Sequence, residues 1–223
     1  MSTAKPLVIF GTGDFARLAR TYFEEDGGRS VAAFAADAAY CTADSLDGKP
    51  LLSREAMLAR YPPGSAELFV AIGFAKVNKI RAGVYQALKE AGYDFARYVY
   101  SRVRLWPSNS VGENSFIFED NTIQPNVRIG RNVILWSGNH LGHDCVVEDH
   151  CFVSSHVCIA GHARIGAYSF LGVNAAVRDG VAVAPRSVLG AGALILGDTE
   201  EEGVYMAQAT EKARVPSSRL RGL

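Results

Sequence analysis

The sequence lacks any surplus of charge, because Lys and Arg together number 23 and Asp and Glu also number 23. A balanced chain has no overall field that would favour nucleic acid or an anionic membrane. It also lacks an apolar run of about 18 residues, and its N-terminus lacks the basic-then-apolar layout of a signal peptide. These absences predict a soluble, cytoplasmic protein without nucleic-acid binding or membrane insertion.

Cysteine is scarce, with four residues among 223 and no C-x-x-C pair. This pattern argues against a disulfide framework and against a thiolate zinc site. We expect Cys145, Cys151 and Cys158 to act as small apolar residues within the repeat described next.

What the sequence does contain is a period of six. Every sixth residue from Leu105 to Ile195 is Leu, Ile or Val, over sixteen positions, and the residue two before each of them is small or short. We call these aliphatic residues the plugs. A period of six fits neither an α-helix nor an alternating strand. It is typical of a hexapeptide β-helix, in which three hexads form one triangular coil and residues eighteen apart lie above one another.

Several aromatic residues stand directly before or after a plug, where a coil points its side chains outward. They are Phe116, Phe118, Trp136, Phe152 and Phe170. Exposed aromatics at this density indicate an interface. We therefore expect copies of the chain to pack along the coil as a homotrimer.

The first hundred residues lack this period and alternate strand-like and helix-like segments. We predict strands at 7–10, 30–36 and 68–72 and helices at 15–25, 53–60 and 75–91. Ser53 is a candidate N-cap and Gly92 a candidate C-cap. The pattern predicts an α/β domain with a small Rossmann-like parallel sheet over residues 1–98. A parallel β-helix domain with a short C-terminal segment then occupies residues 99–223.

A G-x-G-x-x-A stretch from Gly11 to Ala16 follows the first strand and opens a helix. Glycines there let the backbone approach a phosphate, and a helix N-terminus favours an anion. Asp37, at the end of the second strand, is placed to bind a ribose or base. We expect a mononucleotide-like ligand; a turn that needs glycine only for its conformation, and a redox dinucleotide site, remain alternatives.

All five histidines fall within 23 residues. They are His140, His143, His150, His156 and His162. Their spacing distributes the rings around the coil, which disfavours a zinc site in one chain and leaves open one shared between chains. His143 differs because Asp144 follows it and Gly161 lies one coil above, so a base is placed beside a backbone N–H, as acyl transfer requires. A solvated histidine on the coil surface is the alternative in each case.

Taken together, the chain resembles the bacterial nucleotide-sugar acetyltransferases of the NeuD/PglD type, which include UDP-4-amino-sugar and GDP-perosamine N-acetyltransferases. The resemblance runs from LVIFGTGDFA near the start to LGAGALILGD at the coil end. Its most specific segment is His143-Asp144-Cys145-Val146-Val147, and AGHARIG (160–166) and FLGVNA (170–175) also fit. The chain departs from the family at 99–101, where Val-Tyr-Ser replaces Ile-His-Pro, and at 206–210, where a G-x-P-A-K segment is missing.

The resemblance implies a left-handed coil, a homotrimer, acetyl-CoA as acyl donor and no metal. It implies N-acetylation of a nucleotide-linked 4-amino-4,6-dideoxy sugar in lipopolysaccharide or other surface-glycan biosynthesis, with His143 as general base and Asp144 orienting it. The residues implied in nucleotide-sugar binding are Gly11, Thr12, Gly13, Asp14, Asp37, Gly73, Asn78 and Arg81. Those implied in acyl-CoA binding are Gly161, His162, Gly190 and Ala191. Sugar O-acetylation, as of a sialic acid, a γ-carbonic-anhydrase-like zinc trimer and a non-catalytic trimeric scaffold are the alternatives.

Overall fold

The computed structural model describes residues 5–219, which form a helix-and-sheet unit followed by a β-coil. The strands of the first unit are β1 (Leu7–Phe10), β2 (Val31–Ala36), β3 (Ser45–Leu46), β4 (Lys49–Ser53), β5 (Glu67–Val70) and β6 (Asp94–Phe95). Its α-helices are α1 (Asp14–Thr21), which continues as a π-helix over Tyr22–Asp26, α2 (Arg54–Arg60) and α3 (Lys79–Glu90). The sheet order is β3-β4-β2-β1-β5-β6, and all neighbours are parallel except the β3–β4 hairpin.

Three of these strands, β3, β4 and β6, were not predicted. Both β3 and β6 have only two residues, and β4 carries Lys and Pro and is half-buried, so none has the apolar signature of a buried strand. Ser53 caps α2 as predicted, since its Oγ accepts from the N–H of Ala56 at 3.2 Å. The third helix begins at Lys79, four residues later than predicted, because Lys76, Val77 and Asn78 all adopt positive φ.

The coil is built from two-residue strands, each with one outward residue and one plug. Face 1 contains β7 (Tyr98–Val99), β9 (Phe116–Ile117), β12 (Ile134–Leu135), β15 (Phe152–Val153), β18 (Phe170–Leu171), β21 (Val188–Leu189) and β23 (Val204–Tyr205). Face 2 contains β10 (Thr122–Ile123), β13 (His140–Leu141), β16 (Cys158–Ile159), β19 (Ala176–Val177) and β22 (Leu194–Ile195). Face 3 contains β8 (Ser110–Val111), β11 (Arg128–Ile129), β14 (Val146–Val147), β17 (Arg164–Ile165) and β20 (Ala182–Val183).

The plugs fill the inside of the coil. Every plug from Val111 to Ile195 is at most 8% exposed, and each strand pairs in parallel with the one eighteen residues away, as Leu135 does with Val153. Leu105, predicted as the first plug, is 39% exposed and lies outside any strand, so that prediction is wrong at its first position. The coil also continues past its predicted end at Ile195, because β23 pairs with β21.

The chain turns from one face to the next through a residue in the left-handed conformation. Every sixth residue from Asn114 to Gly192 has φ between 54° and 75°. Asn, Asp, His and Gly, which tolerate this conformation best, occupy all but two of these positions, namely Tyr168 and Arg186. The regular spacing of His150, His156 and His162 therefore follows from backbone geometry.

The outward aromatics of face 1 are covered by the first unit of the same chain. Phe116 and Phe118 are at most 1% exposed, and the Phe15 and Tyr22 rings contact both of them edge-on or tilted at centroid distances of 5.0–6.2 Å. Phe118 also stacks on Trp136 at 4.4 Å. The prediction that these aromatics form an interface between copies is wrong, because the fold buries Phe116, Phe118 and Phe152 and packs the half-buried Trp136 and Phe170 against the same cluster.

The four cysteines are all free, and Cys145 and Cys151 are buried in the coil as predicted. Cys158 is exposed, because it is the outward residue of β16 on a face that the first unit does not cover. Within residues 5–219, no helix combines the length and the apolar character needed to cross a membrane.

Candidate active site

His143 lies at the corner where the chain turns from face 2 to face 3, which we call the His143 corner (Asn126, His143, Asp144, Gly161 and His162). Its Nδ1 lies 2.9 Å from Oδ2 of Asp144, and Oδ1 of Asp144 accepts from Nδ2 of Asn126 at 3.0 Å. When the carboxylate of Asp144 accepts a hydrogen bond from the N–H at Nδ1 of His143, the other ring nitrogen, Nε2, carries no proton and can act as a base. This chain of hydrogen bonds orients the imidazole.

The backbone of His143 is held from both neighbouring coils. Its N–H donates to Oε1 of Gln124 at 2.8 Å, and its carbonyl accepts from the N–H of His162 at 2.9 Å. The hydrogen bonds from His143 and Asn126 lower the pKa of Asp144, so this carboxylate stays ionised at neutral pH. Sequence reasoning missed Asn126 and Gln124, although their spacing of eighteen and nineteen residues from Asp144 and His143 was the available signal.

Position 161 is occupied by glycine because there is no space for a side chain there. A Cβ built on it would lie 2.9 Å from Nε2 of His143 and 2.9 Å from Oδ2 of Asp179, while its φ is outside the left-handed region. Its N–H donates no hydrogen bond to the backbone or side chains of residues 5–219. The structure therefore brings together an oriented imidazole, a carboxylate and a free backbone N–H at one corner of the coil.

The His162 ring stands edge-on to the His143 ring, with centroids 4.8 Å apart. One nitrogen or oxygen of each of His143, Asp144 and His162 lies within 4.8 Å of the others. The expectation that the coil keeps its histidines apart is wrong for this pair, because a spacing of nineteen is one coil plus one residue. Two imidazoles and a carboxylate are ligands that zinc accepts, and here one imidazole, that of His143, is hydrogen-bonded to the carboxylate of Asp144.

Two residues predicted to bind acyl-CoA lie elsewhere within this chain. Gly190 and Ala191 follow β21 of face 1, at the corner between faces 1 and 2. Gly190 packs against Met206, whose Sδ would lie 2.9 Å from a Cβ built on the glycine. Of the predicted acyl-CoA residues, only Gly161 and His162 share a corner with His143.

The remaining histidines have separate positions. His140 is the outward residue of β13, and His156 lies at the corner between faces 1 and 2, where its ring fills the space in which a Cβ of Gly138 would stand. His150 lies at the corner between faces 3 and 1, beneath the first unit, and is 9% exposed.

A second concave site of about 540 Å³ lies at the carboxyl ends of β1, β2 and β5. Six predicted nucleotide-sugar residues line it, namely Gly11, Thr12, Gly13, Asp14, Asp37 and Gly73. We call it the glycine pocket. Oδ1 of Asp37 accepts from Nε of Arg54 at 2.6 Å, so this carboxylate is anchored at the pocket wall.

The two glycines of the loop differ. Gly11 has a φ of +147°, and a Cβ there would lie 2.4 Å from the carbonyl oxygen of Ala71, so the fold itself requires glycine. Gly13 has ordinary dihedral angles, and a Cβ there would meet nothing within 4 Å. The protein alone therefore gives no reason for glycine at position 13.

Asn78 and Arg81 do not line the glycine pocket, because both are fully buried. Nδ2 of Asn78 donates to the carbonyls of Tyr168 and Ser169. Arg81 donates to carbonyls of the pocket loop and of the coil, at Ile72, Gly73, Asn132, His150 and Cys151. Their predicted contact with a nucleotide sugar is wrong: these side chains join the first unit to the coil.

Arg81 is a cation surrounded by carbonyls, with no carboxylate among its hydrogen-bond acceptors in residues 5–219. Burial lowers its pKa to about 9, so it remains charged at neutral pH. Beside it runs a ladder of side chains, in which Asn114 donates to Asn132 at 2.7 Å and Asn132 contacts Nδ1 of His150 at 2.9 Å. We call Asn114, Asn132, His150 and Tyr168 the buried corner. Burial lowers the pKa of His150 to about 4.

Comparison with known proteins supports an assignment of this architecture. The family of the hexapeptide repeat of succinyl-transferase matches residues 162–196. Perosamine N-acetyltransferase from Caulobacter crescentus, solved as a histidine-to-asparagine variant with CoA and GDP-perosamine, is 25% identical, with a TM-score of 0.80 over 92% of this chain and 95% of that one.

Two further structures share the fold. The acetyltransferase domain of PglB from Neisseria gonorrhoeae FA1090, in complex with acetyl coenzyme A, is 21% identical, with a TM-score of 0.80 over 92% of this chain and 97% of that one. WeeI from Acinetobacter baumannii AYE is 16% identical, with a TM-score of 0.76 over 90% and 96%. These matches confirm the predicted resemblance and the predicted enzyme class. The chain is similar in fold and length to hexapeptide-repeat sugar acyltransferases of the NeuD/PglD type.

Proposed function

We propose that this enzyme transfers the acetyl group of acetyl-CoA to the 4-amino group of a nucleotide-linked 4-amino-4,6-dideoxy sugar. The observation that carries the proposal is the oriented His143–Asp144 pair beside the free N–H of Gly161, where only a glycine lets the backbone lie this close to the imidazole. Further support comes from the Caulobacter crescentus protein, which is similar over nearly its whole length and was solved with CoA and GDP-perosamine.

In the proposed reaction, the amine nitrogen attacks the thioester carbonyl carbon while Nε2 of His143 takes a proton from that nitrogen. The N–H of Gly161 stabilises the oxyanion, an interaction worth roughly 3–4 kcal/mol. The C–S bond then breaks, and the imidazolium returns its proton to the departing thiolate. An amide and a free thiol result. The Asp144 carboxylate stabilises the imidazolium between the two proton transfers.

The glycine pocket is proposed as the site of the nucleotide, on a Rossmann-like unit whose last strand is β6, before the coil begins at β7. This unit covers face 1, whereas His143 lies between faces 2 and 3. In a triangular coil, that corner is the one opposite face 1. One chain therefore cannot present its own pocket to its own base, and we infer that the acceptor bound by one copy reaches His143 of another copy in a homotrimer.

The proposal gives Gly13 a reason to be glycine, namely close approach of its backbone to a phosphate. Gly13→Val should raise the KM for the nucleotide sugar and change the KM for acetyl-CoA little, because a side chain there meets no protein atom. Steady-state kinetics with each substrate varied in turn measure this. An equal rise in both KM values would contradict a role for this loop in acceptor binding.

The direct test incubates the purified enzyme with acetyl-CoA and a panel of UDP-, dTDP- and GDP-linked 4-amino sugars while free thiol is measured. Thiol release with one nucleotide class, together with a product that resists mild alkali as an amide does, is the expected result. An alkali-labile ester would indicate O-acetylation instead. Light scattering should give three times the chain mass of 24.0 kDa. A stable monomer would contradict the shared site.

A further inference from the structure

A third concave site lies on face 2 at the N-terminal end of the coil, with a volume of about 590 Å³. Arg102, Arg104 and Trp106 line one side of it, and the segment 120–125 lines the other. Residues 104–106 stand eighteen before 122–124, where a further coil strand would pair with β10, but they form no strand. The edge of face 2 therefore opens into a pocket that carries two guanidinium groups and an indole ring. We call it the arginine pocket.

The guanidinium groups of this pocket are available to a ligand. Arg104 lies over the Trp106 ring, 3.9 Å from its centroid, which orders the side chain and leaves its N–H edges free. Seven other arginines form ion pairs, but among residues 5–219 neither Arg102 nor Arg104 does. Asp120 lines the same pocket, and Asp26 lies near enough to Arg102 for its pKa to be lowered by that charge. The pocket still holds two cations for one lining carboxylate.

The arginine pocket adjoins the His143 corner. Gln124 and Pro125, which line it, accept the backbone N–H groups of His143 and Asp144 at 2.8 and 3.1 Å. The pocket thus lies one coil before His143, a rise of about 4.8 Å. Gly161, the proposed contact for the acyl group, lies one coil after it. A ligand in the arginine pocket therefore reaches His143 from the side opposite the acyl donor.

We propose that Arg102, Arg104 and Trp106 form a subsite for the sugar-linked phosphate of the acceptor, whose nucleoside-linked phosphate lies at Gly13 in the glycine pocket of a neighbouring copy. The inference rests on the proposed function. Arginine binds phosphate oxygens through paired N–H groups, which suits a diphosphate better than a neutral sugar. Acetyl-CoA and the nucleotide sugar both carry a nucleoside-linked diphosphate, so either could supply the anion. Because the arginine pocket lies one coil before His143, we assign the pocket to the acceptor, whose sugar then extends toward Nε2.

The kinetic test is Arg104→Gln. We expect the KM for the nucleotide sugar to rise about tenfold or more, the loss of about 1.4 kcal/mol of binding. The kcat and the KM for acetyl-CoA should stay within about twofold. Arg128→Gln on face 3 is the matched control, because it removes the same charge from an exposed coil position outside this pocket. A rise in the KM for acetyl-CoA instead, or no change in either KM, would overturn the proposal.

A binding measurement separates this inference from the proposed function. The measurement is a calorimetric titration of the Gly13→Val variant with inorganic pyrophosphate. This substitution weakens anion binding in the glycine pocket and leaves the arginine pocket unchanged. In this background we expect the Kd for pyrophosphate to rise about tenfold when Arg104→Gln is added and to stay unchanged when Arg128→Gln is added. Such binding in an enzyme that acetylates no nucleotide sugar would refute the proposed function and retain an anion site. Equal binding in both variants would refute the arginine pocket whatever the enzyme acetylates.

Discussion

The coil carries two corner stacks with similar residues in opposite surroundings. The left-handed positions of the His143 corner are Asn126, Asp144 and His162, and those of the buried corner are Asn114, Asn132, His150 and Tyr168. In the first, the side chains face water and orient a base. In the second, the first unit covers them, and Asn114 accepts from the N–H of Val70 at 2.7 Å. Backbone conformation selects the residue types at both corners, and what covers the corner decides their role.

The largest effect should come from His143→Ala, which removes the base from the exposed corner. A general base contributes about 10²- to 10⁴-fold, so kcat should fall by that factor with KM values nearly unchanged. The residual rate should rise with pH as free amine becomes available. Thiol release at saturating substrates measures both.

The matched control for this variant is His156→Asn, a histidine with the same left-handed φ at the corner between faces 1 and 2. Asparagine keeps that conformation, and turnover should remain near that of the wild type. If His143→Ala turned over at the wild-type rate, the two corners would not differ in function and the base would have to be sought elsewhere.

The next effect is on stability and belongs to the buried corner. Arg81→Met replaces a buried donor with an apolar side chain and leaves several carbonyls unpaired, which should lower the free energy of unfolding by about 3 kcal/mol or more. Urea denaturation measures this, with Arg128→Met as the exposed control. An unchanged or increased free energy of unfolding would mean that desolvating the charge costs as much as its hydrogen bonds contribute.

The smallest effect is a pH dependence. The pKa of His150 is about 4 in the folded protein, against 6.5 for the free side chain. Between these values the unfolded chain binds a proton that the folded chain does not, so stability falls as pH decreases from about 6.5 to about 4. The loss attributable to this residue is up to about 3 kcal/mol.

His150→Asn removes this titration and keeps a residue that tolerates the φ of +66°. On acidification, the free energy of unfolding should therefore fall more for the wild type than for the variant. Urea denaturation at about pH 7 and about pH 4.5 gives the two differences. A difference that stayed constant would show that His150 is protonated equally in both states, as an exposed histidine is.

The register of the coil could be predicted from the sequence because the six-residue period is a direct result of the turn geometry. The inward position of Ile159 and the inward position of Leu135 follow from the same count. The His143–Asp144 pair was also accessible, since the two residues are adjacent. What the count cannot give is which face another part of the chain covers, and this is why the role of the outward Phe116 and Phe118 was predicted wrongly.

Asn78 and Arg81 show a second limit. The family resemblance implies ligand contacts for these two side chains, but a junction between a coil and a sheet also leaves carbonyls that need donors. Sequence alone does not distinguish these demands. The distinction depends on burial, which is complete for both side chains.

The Arg81 junction has a consequence for the choice of substrate. It fixes the loop at Gly73 to the coil, so the glycine pocket cannot move freely relative to the faces that carry the base. In the proposed trimer, the span from a pocket to the neighbouring copy's base is then set by the rigid protein. The enzyme would therefore select its acceptor by length. A sugar linked through a monophosphate, or carrying no nucleotide, is too short to occupy the glycine pocket and reach His143 of the neighbouring copy at the same time.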